Sequence, residues 1–188
     1  MTEENKTPLQ INITEDIILR EIDYCDARDI FTTIDSQREY LGQWLPFVEN
    51  TETIEDTLGF IQSIINRPDD KKEHIFVILY QHKFCGLVGF KDTDRLNRKT
   101  EIGYWISEPF QKKGIMTNSV RAMVSFAFNK LKINRIQIKC AIKNHPSKKI
   151  PERMGFTLEG IERDGEQLSG HIFTDLAVYS LLRREWNQ

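Results

Sequence analysis

Apolar positions along the chain alternate between two spacings, and each change of spacing marks a new element. EDIILREI (15–22) is rich in isoleucine and reads as a strand. From Asp26 to Asp35, Ala27, Ile30, Phe31 and Ile34 recur at helical spacing, which predicts a helix with one buried face. EYLGQWLPFVENTET follows, and its Trp44, Pro46 and Phe47 predict a loop or helix break. Thr53 and Asp56 form a capping-box pattern, and Leu58, Ile61 and Ile65 carry the next helix as far as Asn66. HIFVILY (74–80) and KFCGLVGF (83–90) flank a short polar turn and predict an antiparallel hairpin, to which TEIGYWI (100–106) adds a third strand.

The strongest helical stripe comes next: Val120, Met123, Val124, Ala127, Phe128 and Leu131. RIQIKCAI (135–142) alternates as a strand, and NHPSKKIPERM (144–154) reads as a short helix containing Pro151. Residues 156–162 and 171–182 read as the last two strands, joined by a turn near Gly165 to Gly170. Residues 1–13 are polar and read as a loose tail. No repeat or linker divides the chain, so a single domain over 1–188 is expected. Its class is α/β (mixed α+β), one sheet covered by helices, with parallel pairing where helices intervene.

Composition narrows the function classes. With 188 residues, 39% hydrophobic and 29% charged, the chain suits one soluble globular domain. A net charge of −2 with clustered lysines does not describe a general phosphate-backbone binder, so no direct nucleic-acid partner is expected. No segment approaches the roughly 20 apolar residues of a membrane span. Cys25, Cys85 and Cys140 are odd in number, widely spaced and without metal-ligand spacing. They read as small hydrophobes of a reducing compartment, which implies a cytoplasmic protein. The four histidines also lack metal spacing, and no metal is expected.

WISEPFQKKGIMTNSV (105–120) carries the candidate chemistry. Here a strand runs into Gln111-Lys112-Lys113-Gly114 and then directly into the long helix. A helix N-terminus presents unpaired amides and partial positive charge, and a glycine there permits close approach of an anion. Two lysines add full charges, so the turn is a candidate pyrophosphate cradle. An ordinary exposed loop explains the same pattern, and the stretch matches neither a Walker A loop nor a dinucleotide fingerprint.

The stretch resembles the Q/R-x-x-G-x-G/A acyl-CoA loop of the GNAT N-acetyltransferase superfamily. EIGYWISEPFQKKGIMT (101–117) is more closely similar to the ribosomal-protein, RimL-type branch. Met116 departs from the superfamily's last Gly/Ala, and Lys112 stands where relatives often carry glycine. The resemblance extends through YLGQWLPFVENTET, KNHPSKKIPERMGFTLEG (143–160) and DLAVYSLLRREW, most of the chain in family order. It implies a mixed, mostly antiparallel sheet splayed between TEIGYWI and RIQIKCAI, where acetyl-CoA enters. Pantetheine would then pair with the backbone of Trp105 and Ile106 as an added strand. The pyrophosphate would rest on Gln111, Lys112, Lys113, Gly114, Ile115, Met116 and Thr117. Asn144 would bond the pantetheine arm, and Lys148 would approach the phosphates.

Attack of an amine on a thioester requires a neutral amine, a donor for the oxyanion and, in some cases, a proton for the thiolate. Many superfamily members place a tyrosine seven residues after the asparagine, but here that position is Pro151. The RimL-type branch implies Ser147 in its stead and Glu166 as base, with Glu101 a second carboxylate near the cleft. On the residues alone, Ser147 and Asn144 would serve equally as helix-start groups, Glu166 as an exposed turn glutamate, and Glu101 as the partner of a neighbouring lysine or arginine. Pro151 lacks the amide that would bond the Ser147 carbonyl, which predicts a bent helix.

The expected function is transfer of acetyl from acetyl-CoA to a primary amine, foremost the N-terminal α-amine of a ribosomal or other protein. A small amine as acceptor, or a non-catalytic CoA-binding module, are the alternatives. Acidic residues Glu49, Glu52, Glu55 and Asp56 beside the Trp44 region suit a cationic acceptor. Relatives of this branch are often dimers, which implies a homodimer.

Overall fold

In the computed structural model, which describes residues 8–68 and 71–186, eight strands and six helices alternate. The first half contains β1 (Gln10–Asn12), β2 (Ile17–Glu21), α1 (Ala27–Ser36), α2 (Arg38–Gly42), α3 (Phe47–Asn50), α4 (Ile54–Ile65) and β3 (Ile75–Tyr80). The second contains β4 (Lys83–Asp94), β5 (Lys99–Ile106), α5 (Ile115–Asn129), β6 (Arg135–Ala141), α6 (His145–Arg153), β7 (Thr157–Leu168) and β8 (Ile172–Leu182). All strands join one sheet in the order β1-β2-β3-β4-β5-β6-β8-β7.

Pairing is antiparallel except between β5 and β6, where α5 makes the crossover. The expectation of parallel pairing wherever helices intervene therefore fails twice. β2 and β3 are antiparallel although four helices separate them. That excursion returns to the end of the sheet it left, where the Ile22 amide bonds the Ile75 carbonyl at 2.9 Å. β6 and β7 are not neighbours at all, because β8 lies between them. Two further expectations need correction. Gln10–Asn12, placed in the loose tail, pairs with β2, because Ile11 and Ile13 pack against the core; residues 1–7 of that tail lie outside the described residues. The expected break around Trp44 holds two short helices, pinned by the Arg38 guanidinium on Asp35 and on the Val48 carbonyl (both 2.9 Å).

Alternating strand side chains feed two cores, one on each face of the sheet. Phe76, Ile78, Val88, Ile102, Ile136 and Ile138 pack under α5 and α6. Val77, Leu87 and Trp105 pack under α1 and α4. The predicted capping box starts α4, with Asp56 accepting from the Thr53 amide at 2.8 Å.

The edge between β2 and β3 is tied by charge. Glu21 accepts from His74 Nδ1 at 3.0 Å and from Lys72 Nζ at 3.3 Å. The hydrogen bond from His74, with the Lys72 charge, lowers the Glu21 pKa to about 2 from its usual 4.5, against an opposing effect of burial. A depressed carboxylate stabilises the fold above its unfolded value and loses that contribution as pH falls toward the folded one. Glu21→Gln is therefore expected to melt below wild type at pH 7. In thermal scans the gap should close as pH falls from about 4.5 toward about 2.

Candidate active site

The parallel pair that joins the two halves of the sheet is short. Lys99–Glu101 face Arg135–Gln137, and beyond those three pairs β5 and β6 have no common register. From Ile102 to Ile106, β5 keeps β4 on one side and has a gap on the other. Half of its amides and carbonyls there face no strand, which is the edge an extended ligand needs.

At the far end of that edge the chain turns into α5. Lys112 and Gly114 both adopt left-handed backbone, with φ of 62° and 75°. Lys112 thus takes the conformation a glycine would supply. Gly114 is the N-cap and offers no side chain to bond the helix amides, so the first turn of α5 remains uncapped. Gln111 and Lys112, Gly114 to Thr117, and Trp105 and Ile106 line a cavity of about 600 Å³. Asn144 and Ser147 line it as well.

Two expected phosphate contacts are placed elsewhere. The Lys113 ammonium lies over the rings of Phe110 and Tyr80, at 5.2 and 5.7 Å from their centroids. Lys148 donates to the Ile142 carbonyl at 3.4 Å. Lys149 and Arg153, one turn apart on α6, line the cavity in their stead. Their i, i+4 spacing in NHPSKKIPERM was the available signal.

Ser147 lines both cavities. Asn144 caps α6, its Oδ1 accepting from the Ser147 amide at 3.2 Å. Pro151 does not stop the helix, which runs on to Arg153. The Ser147 carbonyl that Pro151 leaves without an amide accepts instead from the Tyr104 hydroxyl at 3.0 Å. Tyr104 Oη also lies 3.2 Å from Ser147 Oγ, and Cys140 Sγ is 3.2 Å from the same oxygen. Burial pushes the Tyr104 hydroxyl well above its ordinary pKa and raises that of the Cys140 thiol, so both keep their protons. Sequence reasoning missed Tyr104, although a carbonyl orphaned by Pro151 implied a donor nearby.

The carboxylates lie on the α1 and α4 side of the sheet. Ser147, Asn144, Glu101 and Glu166 share one cavity of about 720 Å³, which meets the first at Trp44, Tyr104 and Trp105. Glu101 is only 6% exposed, and both its oxygens are engaged. Lys91 Nζ sits 2.9 Å from Oε1, and Gln137 Nε2 donates to Oε2 at 3.2 Å. Glu166, on β7, makes no side-chain hydrogen bond or ion pair with any described residue. Burial, with the Glu101 charge adding, raises its pKa despite Lys91 and Lys139 nearby. Among the described residues no cluster of His, Cys, Asp or Glu is placed to hold a metal ion. No described helix is long and apolar enough to cross a membrane.

Comparison with known proteins agrees with this architecture. The model of the acetyltransferase (GNAT) domain matches residues 16–157. A putative ribosomal N-acetyltransferase of Bacillus subtilis, YdaF, is 38% identical over 93% of this chain and 95% of its own. The ribosomal-protein-serine acetyltransferase of Escherichia coli is 25% identical over 90% and 94%. Among solved structures, the L7/L12 α-N-protein acetyltransferase RimL in complex with coenzyme A superposes with a TM-score of 0.89 at 26% identity. It covers 95% of this chain and all of its own. The microcin C7 self-immunity acetyltransferase MccE, in complex with acetyl-CoA and AMP, superposes at 0.85 with 28% identity, over 92% and 95%.

The turn leading to the cradle is braced from α1. Gln37 Nε2 donates to Ser107 Oγ, and its Oε1 accepts from the Glu108 amide, both at 2.8 Å. Loss of one such bond is worth about 1 kcal/mol, or roughly fivefold in a local opening equilibrium. Gln37→Ala should speed hydrogen exchange at the Glu108 amide by about that factor, with core amides of β4 unchanged.

Proposed function

Since the chain belongs to the GNAT acetyltransferase family and uses acetyl-CoA, we propose that it acetylates the N-terminal α-amine of a ribosomal or other protein. The gap between β5 and β6, with an uncapped helix start at one end and Ser147 at its head, carries this reading. The two ribosomal-protein relatives support the choice of acceptor.

The free edge of Trp105 and Ile106 pairs with the pantetheine arm, and Asn144 offers it the amide NH2 that capping leaves unused. Amides of Gln111 to Thr117 hold the diphosphate, with Lys112, Lys149 and Arg153 as cations. Glu166 receives the proton of the attacking amine, directly or through water. Its raised pKa suits that task better than the doubly bonded Glu101. Ser147 Oγ donates a hydrogen bond to the departing sulfur, while Tyr104 holds Ser147 by its carbonyl. An α-amine, with pKa near 8, needs only modest help from such a base.

We place the enzyme in the cytoplasm as a homodimer without nucleic acid. The unpaired outer edge of β7 supports the dimer, together with Leu158 and Ile161 on β7 and Ile172 and Phe173 at the start of β8, all more than half exposed.

Thiol release from acetyl-CoA with N-terminal peptides should be robust and exceed that with free amino acids or polyamines. Ser147→Ala and Glu166→Gln should each lower kcat roughly ten- to a thousandfold, while calorimetric affinity for acetyl-CoA stays nearly intact. The acid limb of kcat/KM should lie above the ordinary glutamate range and disappear in Glu166→Gln. No release with any amine, despite tight binding of coenzyme A, would leave only a binding module.

A further inference from the structure

The larger cavity reaches well beyond the groups that the transfer step uses, into a branch beneath α4. Its floor is bare backbone. Gly89 and Gly103 are register partners on β4 and β5, and they lie on the same face as Leu87 and Trp105. A side chain at Gly103 would enter the space that α1 and α4 arch over, whereas at Gly89 the first carbon would already lie 2.8 Å from the Ile75 side chain. The walls are Ile34, Leu87 and Phe60, and the mouth carries Trp44 and Phe47. Phe47 and Phe60 are 41% and 43% exposed, unusual for phenylalanine in a chain with ample core to bury it.

Charged groups in this branch are already satisfied among the described residues. Asp56 accepts from the amides of Glu52 and Thr53, at 3.0 and 2.8 Å. Arg67 pairs with Glu73. One polar atom is unpartnered there: Thr57 lines the cavity and is 1% exposed, and its Oγ1 has no hydrogen-bond partner among the described residues. Buried polar atoms are nearly always partnered, so this donor is left over for a group that settles against α4.

We propose that this branch is an acceptor subsite for a bulky apolar side chain within the first three residues of the acetylated polypeptide. The Thr57 hydroxyl bonds the main chain of that segment. The inference rests on the peptide reading above and extends it to the acceptor's sequence. A polyamine gains little in the part of the cavity beside α4, because Asp56 and Glu73 are already engaged there. The cavity, at about 720 Å³, lies within the usual range for sites that enclose a ligand of several residues' bulk.

The test measures kcat/KM on hexapeptides sharing one first residue, with Leu, Phe, Gly, Asp or Lys at positions two and three, and on spermidine. Leu or Phe at one of those positions should raise kcat/KM by about tenfold or more over Gly, the usual discrimination of an apolar pocket. Two variants probe the site itself. In Gly103→Ala the added carbon sits 3.8 Å from Lys91 Cδ and Cε, an ordinary contact that the fold accommodates. It should erode the preference for Leu or Phe. Thr57→Val keeps the shape and removes the hydroxyl, and should raise KM for the best peptide about threefold to tenfold. Equal rates across the peptides, or a preference untouched by both variants, would overturn the subsite alone. Acetylation of spermidine with no peptide accepted would overturn both the subsite and the peptide reading.

Discussion

Three residue pairs hold the two halves of the sheet together, and the site exists because there are no more. Lys99–Glu101 against Arg135–Gln137 is the only parallel contact among the described residues. It follows from the one helical crossover that brings the chain back in the same direction. β4 keeps β5 in place from one side, and β8 keeps β6 from the other. Each strand is therefore held by an antiparallel neighbour while the two diverge. That allows a sheet to carry unpaired main-chain groups in its middle without losing order. The same opening connects its two faces, so a thioester approached from the α5 and α6 side can meet an amine approached from the α1 and α4 side.

Proline at position 151 supplies a second constraint with a local reach. Within a helix it removes one amide and strands one carbonyl. Here the stranded carbonyl belongs to Ser147, and the Tyr104 hydroxyl replaces the missing donor. One substitution to the helix pattern thus clamps α6 to β5 across the mouth of the gap and fixes Ser147 relative to both strands. The tyrosine absent from the helix position common in the superfamily returns from a strand. Its placement depends on tertiary contact, so spacing along the chain could not locate it.

Elements with strong periodicity were legible in the sequence: the α5 stripe, the α4 capping box and the β3–β4 hairpin all form where their patterns indicate. Lys112 and Gly114 turn the chain as the QKKG pattern required, and the left-handed torsion at Lys112 shows the backbone demand overriding residue type. What failed depended on long-range geometry. The antiparallel return of β3 and the insertion of β8 beside β6 reflect where a long connection re-enters the sheet, which no local pattern encodes. Side-chain direction failed for a related reason. Lys113 and Lys148 are each one residue from a position that lines the cavity, and the rings of Phe110 and Tyr80 or the Ile142 carbonyl draw them aside.

The two glutamates show how equal chemistry acquires unequal roles. Glu101 sits on the last residue pair before the strands part, opposite Lys91 on β4 and Gln137 on β6. It is buried, with one donor on each of its oxygens. Glu166 reaches the same cavity from β7, where the register with β8 shifts between Glu162 and Glu166. That irregularity aims it inward, and it arrives without a donor. Burial then favours its protonated form, and the fixed negative charge of Glu101 reinforces the shift. Lys91 bonds one carboxylate and moderates the other, opposing part of the rise in proton affinity at Glu166. As the proposed base, Glu166 draws its raised proton affinity first from burial and then from a neighbouring carboxylate whose own oxygens are already bonded.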